Sequence, residues 1–372
     1  MKIAIVTDFL TQLGGAEKVL EVVHEIWPEA PVYTLIYDQS LTRGIFSSYQ
    51  IHTSFLQKIP LAKKYYRWFL PLMPKAIEKL DLNDYEIIFE ICSSFSKGII
   101  AKKPKKICYL LTPTRYLWVE PEEYLRNLRG LENLAKIFLP KVLNQLRVWD
   151  LKAIKRPDYL IVISNFIKER TKKYYQREAD AVIYSPVDIE KFYISKKIEN
   201  YFLVISRPRY YKRIDLVVEA FNKIKIPLKI IGMSKKEGKK LCKKIEKNIE
   251  FLGYVSEEKK ARYLSSCQAL IHPQEEDLGL TAIEAMASGR PVIAYASGGA
   301  LETVIDGETG VFFDEQNWES LADAVIRFRS EKFNPEKIRE HSKKFSKEEF
   351  KKKIKDFVNF VRSKNSKYEH FN

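Results

Sequence analysis

Two carboxylates stand at a spacing that suits ligand binding. Glu276 and Glu284 are eight residues apart, and Gly279 lies between them where a helix is predicted to begin. Gly289 follows as a residue that ends helices. A helix N-terminus presents free backbone N–H groups and a positive dipole end, which suit phosphate, whereas a carboxylate just inside the helix can accept hydrogen bonds from sugar hydroxyls. The stretch 270–295 therefore predicts a phosphorylated, hydroxyl-rich ligand.

A second group of charged residues follows the strand predicted at 201–206. Arg207 and Lys212 leave this strand just before a predicted helix. Arginine can grip a phosphate with two parallel hydrogen bonds and lysine acts as a point charge, so the loop suits a diphosphate. Basic loops are common in a protein of formal net charge +16, and the loop alone is also compatible with an ordinary surface.

The hydrophobic pattern predicts a first α/β domain over residues 1–186 that must position some of the ligand-binding loops. It opens with a strand, a loop containing Gly14 and Gly15, an amphipathic helix and a second strand, which is typical of a parallel sheet. Further strands are predicted at 86–91, 107–111, 159–163 and 181–184.

The pattern then starts again and predicts a second α/β domain over residues 187–349. Its strands are predicted at 201–206, 228–231, 249–252, 269–272, 292–295 and 311–313. A Lys-rich C-terminal helix carries an apolar stripe, and we expect residues 350–372 to pack back on the first domain. The predicted fold class is α/β, with two Rossmann-like, doubly wound parallel-sheet domains that face a central cleft.

Several loops can converge on that cleft, because ligands of parallel sheets bind at the carboxyl ends of the strands. Besides the two charged groups above, the loops that follow predicted strands contain Gly14–Gly15, Thr112–Arg115 and Gly253. Thr112 and Arg115 are therefore candidates for the acceptor side of the cleft.

The charge balance favours an anionic partner. The chain has 64 Lys and Arg residues against 48 Asp and Glu residues. Nucleic acid, anionic lipid or a phosphorylated substrate would each fit, and so would a solvated surface rich in charged residues. The four cysteines form no CxxC pair and no Asp-x-Asp pair is present, so neither a zinc site nor another metal site is predicted.

The segment 55–80 predicts contact with a membrane surface. Pro60 and Pro71 bracket a predicted helix whose apolar face includes Trp68 and Phe69. The opposite face carries the cationic residues Lys63, Lys64 and Arg67. A basic amphipathic helix with aromatic residues can lie on an anionic membrane, and the alternative is an ordinary helix packed on its own domain.

The sequence also favours a cytoplasmic protein. The N-terminus leads straight into a strand pattern without a signal peptide, and no apolar run approaches the roughly 20 residues that cross a bilayer. We therefore expect a peripheral location at the inner face of the cell membrane.

Beyond these features, the chain resembles retaining glycosyltransferases of family 4, which have the GT-B fold, over essentially its whole length. Glu276 and Glu284 match the E-x7-E pattern of that family, and Arg207 and Lys212 match its diphosphate-binding cations. Four segments resemble its mannosyltransferase-type (WbaZ-like) subgroup: GGAEKVL at 14–20, FLQKIPLAKKYYRWFLPLMPKAIEKLDLNDYE at 55–86, TPTRYLW at 112–118 and EAMASGRPVIAYASGGALETV at 284–304.

The resemblance implies a role for each matched residue in a donor site. Arg207 and Lys212 would neutralise the donor diphosphate, and Glu276 would contact hydroxyls of the transferred sugar. Glu284 would accept hydrogen bonds from the nucleotide ribose. The further residues implied in donor binding are Gly14, Gly15, Leu278, Gly279 and Leu280. Fixed cations and a helix terminus can stabilise a departing diphosphate, so no metal or other cofactor is expected.

One position departs from the family pattern. Relatives usually carry a histidine directly before the Thr-Pro of TPTRYLW, and here that residue is Leu111. The Ser93–Phe95 stretch also lacks a histidine that relatives often have. Leucine offers neither a proton acceptor nor a hydrogen bond, so another group must take over that role.

Three functions are then in competition. The first is transfer of a hexose, with mannose from GDP-mannose favoured and UDP-hexoses open, to a lipid-linked or polysaccharide acceptor. The second is a nucleotide-sugar epimerase of the same fold, against which the pairing of the two glutamates with Arg207 and Lys212 argues. The third is nucleic-acid binding, which charge alone suggests and no recognition motif supports, so no nucleic-acid partner is expected.

Overall fold

The computed structural model describes residues 2–119, 121, 139–242 and 244–363. The chain divides into two compact units. Unit 1 comprises the chain up to Tyr184 together with the chain from Lys351 onward, and unit 2 comprises Ser185–Phe350. Each unit contains one parallel β-sheet with helices, which confirms the predicted α/β class.

Unit 1 is built on seven strands. In chain order they are β1 Ile3–Thr7, β2 Val32–Thr34, β3 Ile51–Thr53, β4 Ile87–Cys92, β5 Lys105–Leu110, β6 Tyr159–Val162 and β7 Ala181–Val182. They pair in the order β3-β2-β1-β4-β5-β6-β7, and every pair is parallel. The sheet is therefore doubly wound about β1 and β4. The sequence pattern did not predict β3, because this short edge strand has no buried residue.

Helices connect or follow the strands of unit 1. In the described part of the chain before Ser185 they are α1 Gly15–Ile26, α2 Ala62–Tyr65, α3 Met73–Glu78, α4 Arg115–Trp118, α5 Leu139–Ala153 and α6 Asn165–Tyr175. Ser164 caps α6, because its side chain accepts a hydrogen bond from the Ile167 N–H at 3.1 Å. The apolar pattern of the sequence also predicts a helical stretch at 131–154. The structure shows this helix from Leu139 to Ala153, and residues 131–138 lie outside the described residues.

The segment 55–78 does not contain the single amphipathic helix that the sequence predicted between Pro60 and Pro71. It is broken into 3₁₀ turns at Phe55–Lys58 and Tyr66–Leu72, with only one turn of α-helix in α2 before α3 begins. Leu61 enters α2 with a left-handed φ of 63°, and Pro71 lies inside the second 3₁₀ turn. Pro71 cannot donate a backbone hydrogen bond, so a continuous helix is not formed here.

Unit 2 is built on six strands. They are β8 Phe202–Ile205, β9 Leu228–Ile231, β10 Ile249–Gly253, β11 Leu270–His272, β12 Val292–Tyr295 and β13 Gly310–Phe313. They pair in the order β10-β9-β8-β11-β12-β13, again with every pair parallel. All six lie within a residue or two of the predicted strands, since each is a short apolar run between helical segments.

Seven helices alternate with these strands or follow them in the described residues of unit 2. They are α7 Ile214–Ile224, α8 Lys235–Leu241, α9 Glu257–Ser266, α10 Leu280–Ala287, α11 Ala300–Thr303, α12 Trp318–Arg327 and α13 Pro335–Ser342. Apolar residues of α7 and α12, such as Val217 and Leu321, share one buried core with residues of the sheet. Ser256 caps α9 by accepting a hydrogen bond from the Lys259 N–H at 3.3 Å.

The last helix, α14 Lys347–Ser363, connects unit 2 back to unit 1 in the chain. The residues of its predicted apolar stripe, Phe350, Ile354, Phe357, Val358 and Val361, are all buried. Within unit 1, Lys351 forms an ion pair with Glu25 and Phe357 packs edge-on against Tyr159. Residues 364–372 of the predicted 350–372 helix lie outside the described residues. None of the helices described combines the length and the apolar composition that a bilayer crossing requires.

Candidate functional site

Two charged loops of unit 2 leave neighbouring strands of its sheet. Residues 206–213 follow β8 and residues 273–279 follow β11, and β8 and β11 are adjacent and parallel. On its other side β8 pairs with β9. The strand order therefore runs from β8 through β9 to β10 on one side and from β11 through β12 to β13 on the other. Open α/β sheets bind ligands at such a switch point, outside the carboxyl ends of the strands.

Lys212 and Glu276 form an ion pair at this switch point, between Lys212 Nζ and Glu276 Oε1. Each side chain is mostly buried, with 17% and 18% of its surface exposed. Arg207 lies on the same loop as Lys212 and is exposed. A cation attracts phosphate and a carboxylate accepts hydrogen bonds from hydroxyls, so the pair can bind a phosphate next to a hydroxyl-bearing group.

Two buried polar side chains, Gln274 and His272, lie next to Glu276. Gln274 Nε2 lies 3.3 Å from Glu276 Oε1 and 3.3 Å from His272 Nδ1. Burial lowers the pKa of His272 to about 4, partly opposed by the charge of Glu276 and reinforced by that of Lys212, so the ring is neutral at pH 7. Among the described residues, His272 Nε2 has no hydrogen-bond partner. The neutral His272 ring therefore contacts the loop that carries Glu276 without adding charge.

Glycines fix the path of the loop that carries Glu276. Gly279 is the N-cap of α10 with a left-handed φ of 89°, and it follows the buried Leu278. The Gly299 N–H donates to the Glu276 carbonyl at 2.8 Å, and a Cβ on Gly299 would lie 2.4 Å from Leu278 Cα. The loop 296–299 thus packs directly against the backbone of the predicted donor loop, and Leu280 opens α10 beside it.

Glu284 lies just over one turn inside the buried helix α10 and contacts a lysine from α9. Lys260 Nζ donates to Glu284 Oε1 at 2.9 Å and also pairs with Glu257 Oε2 at 2.8 Å. The side chains of Lys260 and Glu284 are 10% and 7% exposed. Burial works against the charged form of Lys260, but Glu284 and Glu257 outweigh it and leave the pKa of Lys260 raised.

The remaining predicted residues belong to unit 1. Gly14 and Gly15 follow β1 and lead into α1, and Gly14 has extended backbone with φ −153°. That conformation is open to other residues, so the structure gives no backbone reason for glycine at this position. Thr112 is buried, and its Oγ1 donates to the Pro113 carbonyl at 3.3 Å, while Arg115 begins α4.

A buried ion pair fixes the loops that follow β4 and β5. Lys97 Nζ lies 2.7 Å from Asp150 Oδ1 and donates to Thr114 Oγ1 at 3.0 Å, and both charged side chains are almost fully buried. Asp150 also accepts hydrogen bonds from Trp118 Nε1 and Tyr175 OH, each at 2.7 Å. Removing one partner of such a pair costs about 3–5 kcal/mol, because the other charge stays buried.

The loop after β4 is further held by a carboxylate from the end of β1. Asp8 accepts hydrogen bonds at 2.7 Å from the backbone N–H groups of Ser93, Phe95 and Ser96. Leu111, the position at which the family resemblance implied a histidine, is half-buried, and its N–H donates to the Cys92 carbonyl. These contacts hold the loop after β4 in the unit 1 sheet. The neighbouring position 111 offers no imidazole.

Sequence reasoning missed several buried polar residues near these loops. They are Asp8, Lys97, Asp150, Lys260 and Gln274. For Lys260 the available signal was a charged residue at a position where the apolar pattern of α9 predicts the core. His272, which the sequence places at the end of a predicted strand, is buried at the end of β11.

Comparisons with known proteins bear on unit 2 and on the fold. Residues 188–351 match the family model described as glycosyl transferases group 1. An uncharacterized glycosyltransferase of Methanocaldococcus jannaschii is 31% identical over 211 residues, which cover 54% of this chain and 57% of that relative. The alpha-1,3/1,6-mannosyltransferase ALG2 of Dictyostelium discoideum is 46% identical over 67 residues, or 18% of this chain and 16% of that protein. The chain thus spans little more than half the length of the first relative and less of the second.

Two solved structures share the fold over nearly the whole chain. Sucrose-phosphate synthase of Thermosynechococcus elongatus has a TM-score of 0.72 at 17% identity, with 98% of this chain and 100% of that chain covered. Anabaena HepE in complex with UDP has a TM-score of 0.71 at 15% identity, with 97% and 100% covered. The two parallel-sheet units and these likenesses confirm the GT-B fold class.

Proposed function

We propose that this protein, whose residues 188–351 match the group 1 glycosyltransferases, transfers a hexose from a nucleoside-diphosphate donor to a lipid-linked or polysaccharide acceptor, with retention of configuration. The observation that carries the proposal is the contact between Lys212 and Glu276 at the switch point of sheet 2. A cation that can bind phosphate lies next to a carboxylate that can accept from hydroxyls, and this supports a sugar diphosphate as the ligand.

In the proposed reaction the bond between the sugar C1 and the diphosphate oxygen breaks, and the acceptor oxygen bonds to C1 and loses its proton. Negative charge develops on the leaving nucleoside diphosphate, and Arg207 and Lys212 neutralise it. Glu276 accepts hydrogen bonds from the hydroxyl groups of the transferred sugar. Glu284 accepts hydrogen bonds from the ribose hydroxyls of the nucleotide. The N-terminus of α10, at Leu278, Gly279 and Leu280, faces the anionic part of the donor.

No metal ion takes part in the proposed reaction, since the two cations and the helix terminus supply the positive charge. We assign Gly14 and Gly15 of unit 1 to donor binding. Thr112 and Arg115 are assigned to acceptor binding. Position 111 is a leucine, so in the proposed reaction the acceptor proton passes to an oxygen of the leaving diphosphate.

The preferred donor in this proposal is GDP-mannose. The relative ALG2, named an alpha-1,3/1,6-mannosyltransferase, supports a mannosyl donor. A UDP-hexose is the alternative, and it is supported by the complex of the structurally similar HepE with UDP. Both donors place the same diphosphate on Arg207 and Lys212, so the choice between them depends on contacts to the base.

The proposed location is the cytoplasmic face of the membrane, with the segment 55–73 on anionic lipid. Leu61, Trp68 and Leu72 expose 68%, 46% and 41% of their surfaces, although large apolar side chains are usually buried. Lys63 and Lys64 are exposed in the same segment. Exposed apolar and aromatic side chains among lysines fit the interface of an anionic bilayer.

The first prediction tests the donor and the role of Glu276. In a thermal-shift screen of GDP-mannose and UDP-hexoses, the true donor should raise the melting temperature most, because a ligand stabilises the state that it binds. Glu276→Gln should then lower kcat/KM for transfer by about 100-fold while nucleoside-diphosphate binding is retained, since the sugar contact is lost and the phosphate contacts are kept.

The control for this substitution is Glu250→Gln on the exposed face of β10, which should transfer at the wild-type rate. Wild-type turnover by the Glu276 variant would rule out its sugar role. Absence of stabilisation by every nucleotide sugar would rule out the donor site itself.

A further inference from the structure

Lys260 is a buried cation that the proposed mechanism does not use. It belongs to α9 and reaches Glu284 of α10, so its contact joins two helices. Its Nζ also lies 5.5 Å from the centre of the Phe192 ring. Only 8% of the residue is exposed, whereas lysines are almost never buried without a partner. A cation held in this way must offset the cost of its removal from water through Glu284 and Glu257.

The contact matters because a buried polar group is costly unless it is hydrogen-bonded, and the bond to Lys260 also fixes the direction of the Glu284 carboxylate. Glu284 is 7% exposed, and Lys260 approaches its Oε1 at 2.9 Å, within the range of charge-assisted hydrogen bonds. A carboxylate has about four lone-pair sites, so it can accept from lysine and from hydroxyl groups at the same time. Glu257, by contrast, is 55% exposed and contacts Lys260 from the same helix.

We propose that Lys260 is a positioning residue, which holds the Glu284 carboxylate in the orientation in which it accepts hydrogen bonds from the two ribose hydroxyls of the donor nucleotide. This inference rests on the nucleotide role proposed for Glu284. Lys260 acts through Glu284 and does not itself contact the nucleotide. Its contribution is therefore to the recognition of ribose and not to the recognition of phosphate, which Arg207 and Lys212 provide.

The test compares nucleotides that differ only in the ribose hydroxyls. Dissociation constants of ADP, GDP and UDP and of their 2′,3′-dideoxy forms are measured by calorimetry. Wild-type protein should bind its preferred nucleotide at least about tenfold more tightly than the dideoxy form, as expected for hydrogen bonds to a charged group. Lys260→Met should reduce this ratio to below about threefold while affinity for the dideoxy form changes little, because phosphate binding is untouched.

Three variants serve as comparisons. Lys260→Arg keeps the positive charge and should keep most of the hydroxyl preference, whereas Lys260→Gln keeps only a neutral donor and should give an intermediate ratio. Lys259→Met makes the same substitution one residue earlier, where the side chain is exposed, and should behave as wild type. If the methionine variant fails to fold, the glutamine variant alone decides the result.

The outcomes separate this inference from the proposed function. A hydroxyl preference that is unchanged in both Lys260→Met and Lys260→Gln overturns the positioning role and leaves the donor site standing. An equal loss of affinity for ribose and dideoxy nucleotides shows a merely structural effect and overturns the role as well. A wild-type protein that binds none of the nucleotides overturns the donor site, and the inference about Lys260 with it.

Discussion

Individual side chains of this protein carry charge in places where charge is costly. Lys97, Lys212 and Lys260 each contact a carboxylate inside the protein, which offsets the loss of their hydration. Two of these pairs include predicted donor residues, Glu276 and Glu284. The third, in unit 1, fixes loops rather than a predicted ligand. A buried ion pair adds little net stability, because removal of both charges from water is costly, but it fixes the positions of the two charged groups.

Glu90 is the exception, because it is buried in β4 without a cation. Both of its carboxylate oxygens lack hydrogen-bond partners among the described residues. Burial, together with the neighbouring Cys92, raises the pKa of Glu90 well above 4.5, against the weaker opposing effect of nearby cations. The fold therefore favours the protonated form of this carboxyl group.

We predict that Glu90→Gln makes stability less sensitive to pH. In the wild type the unfolded chain releases the Glu90 proton above pH 4.5 while the folded chain keeps it, so stability is lost as pH rises towards the folded-state pKa. Relative to wild type, the variant should gain up to about 1.4 kcal/mol per pH unit over this range. Denaturant unfolding between pH 5 and 8 measures the difference, and the exposed Glu219→Gln is the control.

At the scale of elements, the predicted site depends on loops that are held by other loops. The donor loop 273–279 is placed by α10 on one side and by the loop 296–299 on the other. The Ser297 hydroxyl donates to Glu275 Oε2 at 2.6 Å, which adds a second bond between these loops. Small residues in one loop therefore decide where a carboxylate of the next one lies.

We predict that Gly299→Ala displaces the donor loop. Its φ of −63° suits alanine, so the cost comes from the clash of the new Cβ with the Leu278 backbone at 2.4 Å. We expect a loss of stability of about 1–3 kcal/mol, as for overpacked interiors, and weaker nucleotide-sugar binding. The control is Gly307→Ala, which is strained by its φ of 74° but meets nothing within 4 Å and should leave binding unchanged.

We also predict that the exposed apolar side chains of the segment 55–73 mediate vesicle binding. The double substitution Leu61→Ser and Trp68→Ser should release the protein from anionic vesicles in co-sedimentation, because it removes apolar area from the interface. Tyr254→Ser in unit 2 removes an aromatic side chain that is more exposed than Trp68, at 71% against 46%, and should have no effect. Continued binding of the double variant would place the membrane contact elsewhere.

At the scale of the whole molecule, the two units have separate cores and separate polar networks. Unit 2 contains Arg207, Lys212, Glu276 and Glu284, and its core is formed by the sheet β8–β13 with its helices. Unit 1 contains the predicted acceptor residues and the exposed apolar segment. The chain passes from unit 1 to unit 2 and back through α14.

We predict that the donor protects unit 2 in particular from hydrogen exchange. Added nucleoside diphosphate should slow exchange most in peptides that cover 206–213 and 273–284, because binding suppresses the local opening of the segments that it contacts. The loop at 93–97 of unit 1, which Asp8 and Lys97 already hold, should change less. Protection that is confined to unit 1 would contradict the assignment of the donor to unit 2.

The sequence by itself determined the two-unit α/β fold and most of its strands. Short apolar runs alternate with amphipathic stretches throughout, and this periodicity depends only on local burial. The Ser164 and Ser256 caps could be predicted for the same reason, since each acts within a few residues. The segment 55–78 could not, because the left-handed turn at Leu61 and the break at Pro71 compete with its helical periodicity.

The tertiary structure alone decided which charges meet. Lys212 and Glu276 are 64 positions apart, Lys260 and Glu284 are 24 apart, and Lys97 and Asp150 are 53 apart. A pattern in the sequence can name a carboxylate or a cation as a candidate. Its partner is set by strand order and helix packing, because the strands β8 and β11 that bring the Lys212 and Glu276 loops together are neighbours only in the folded sheet.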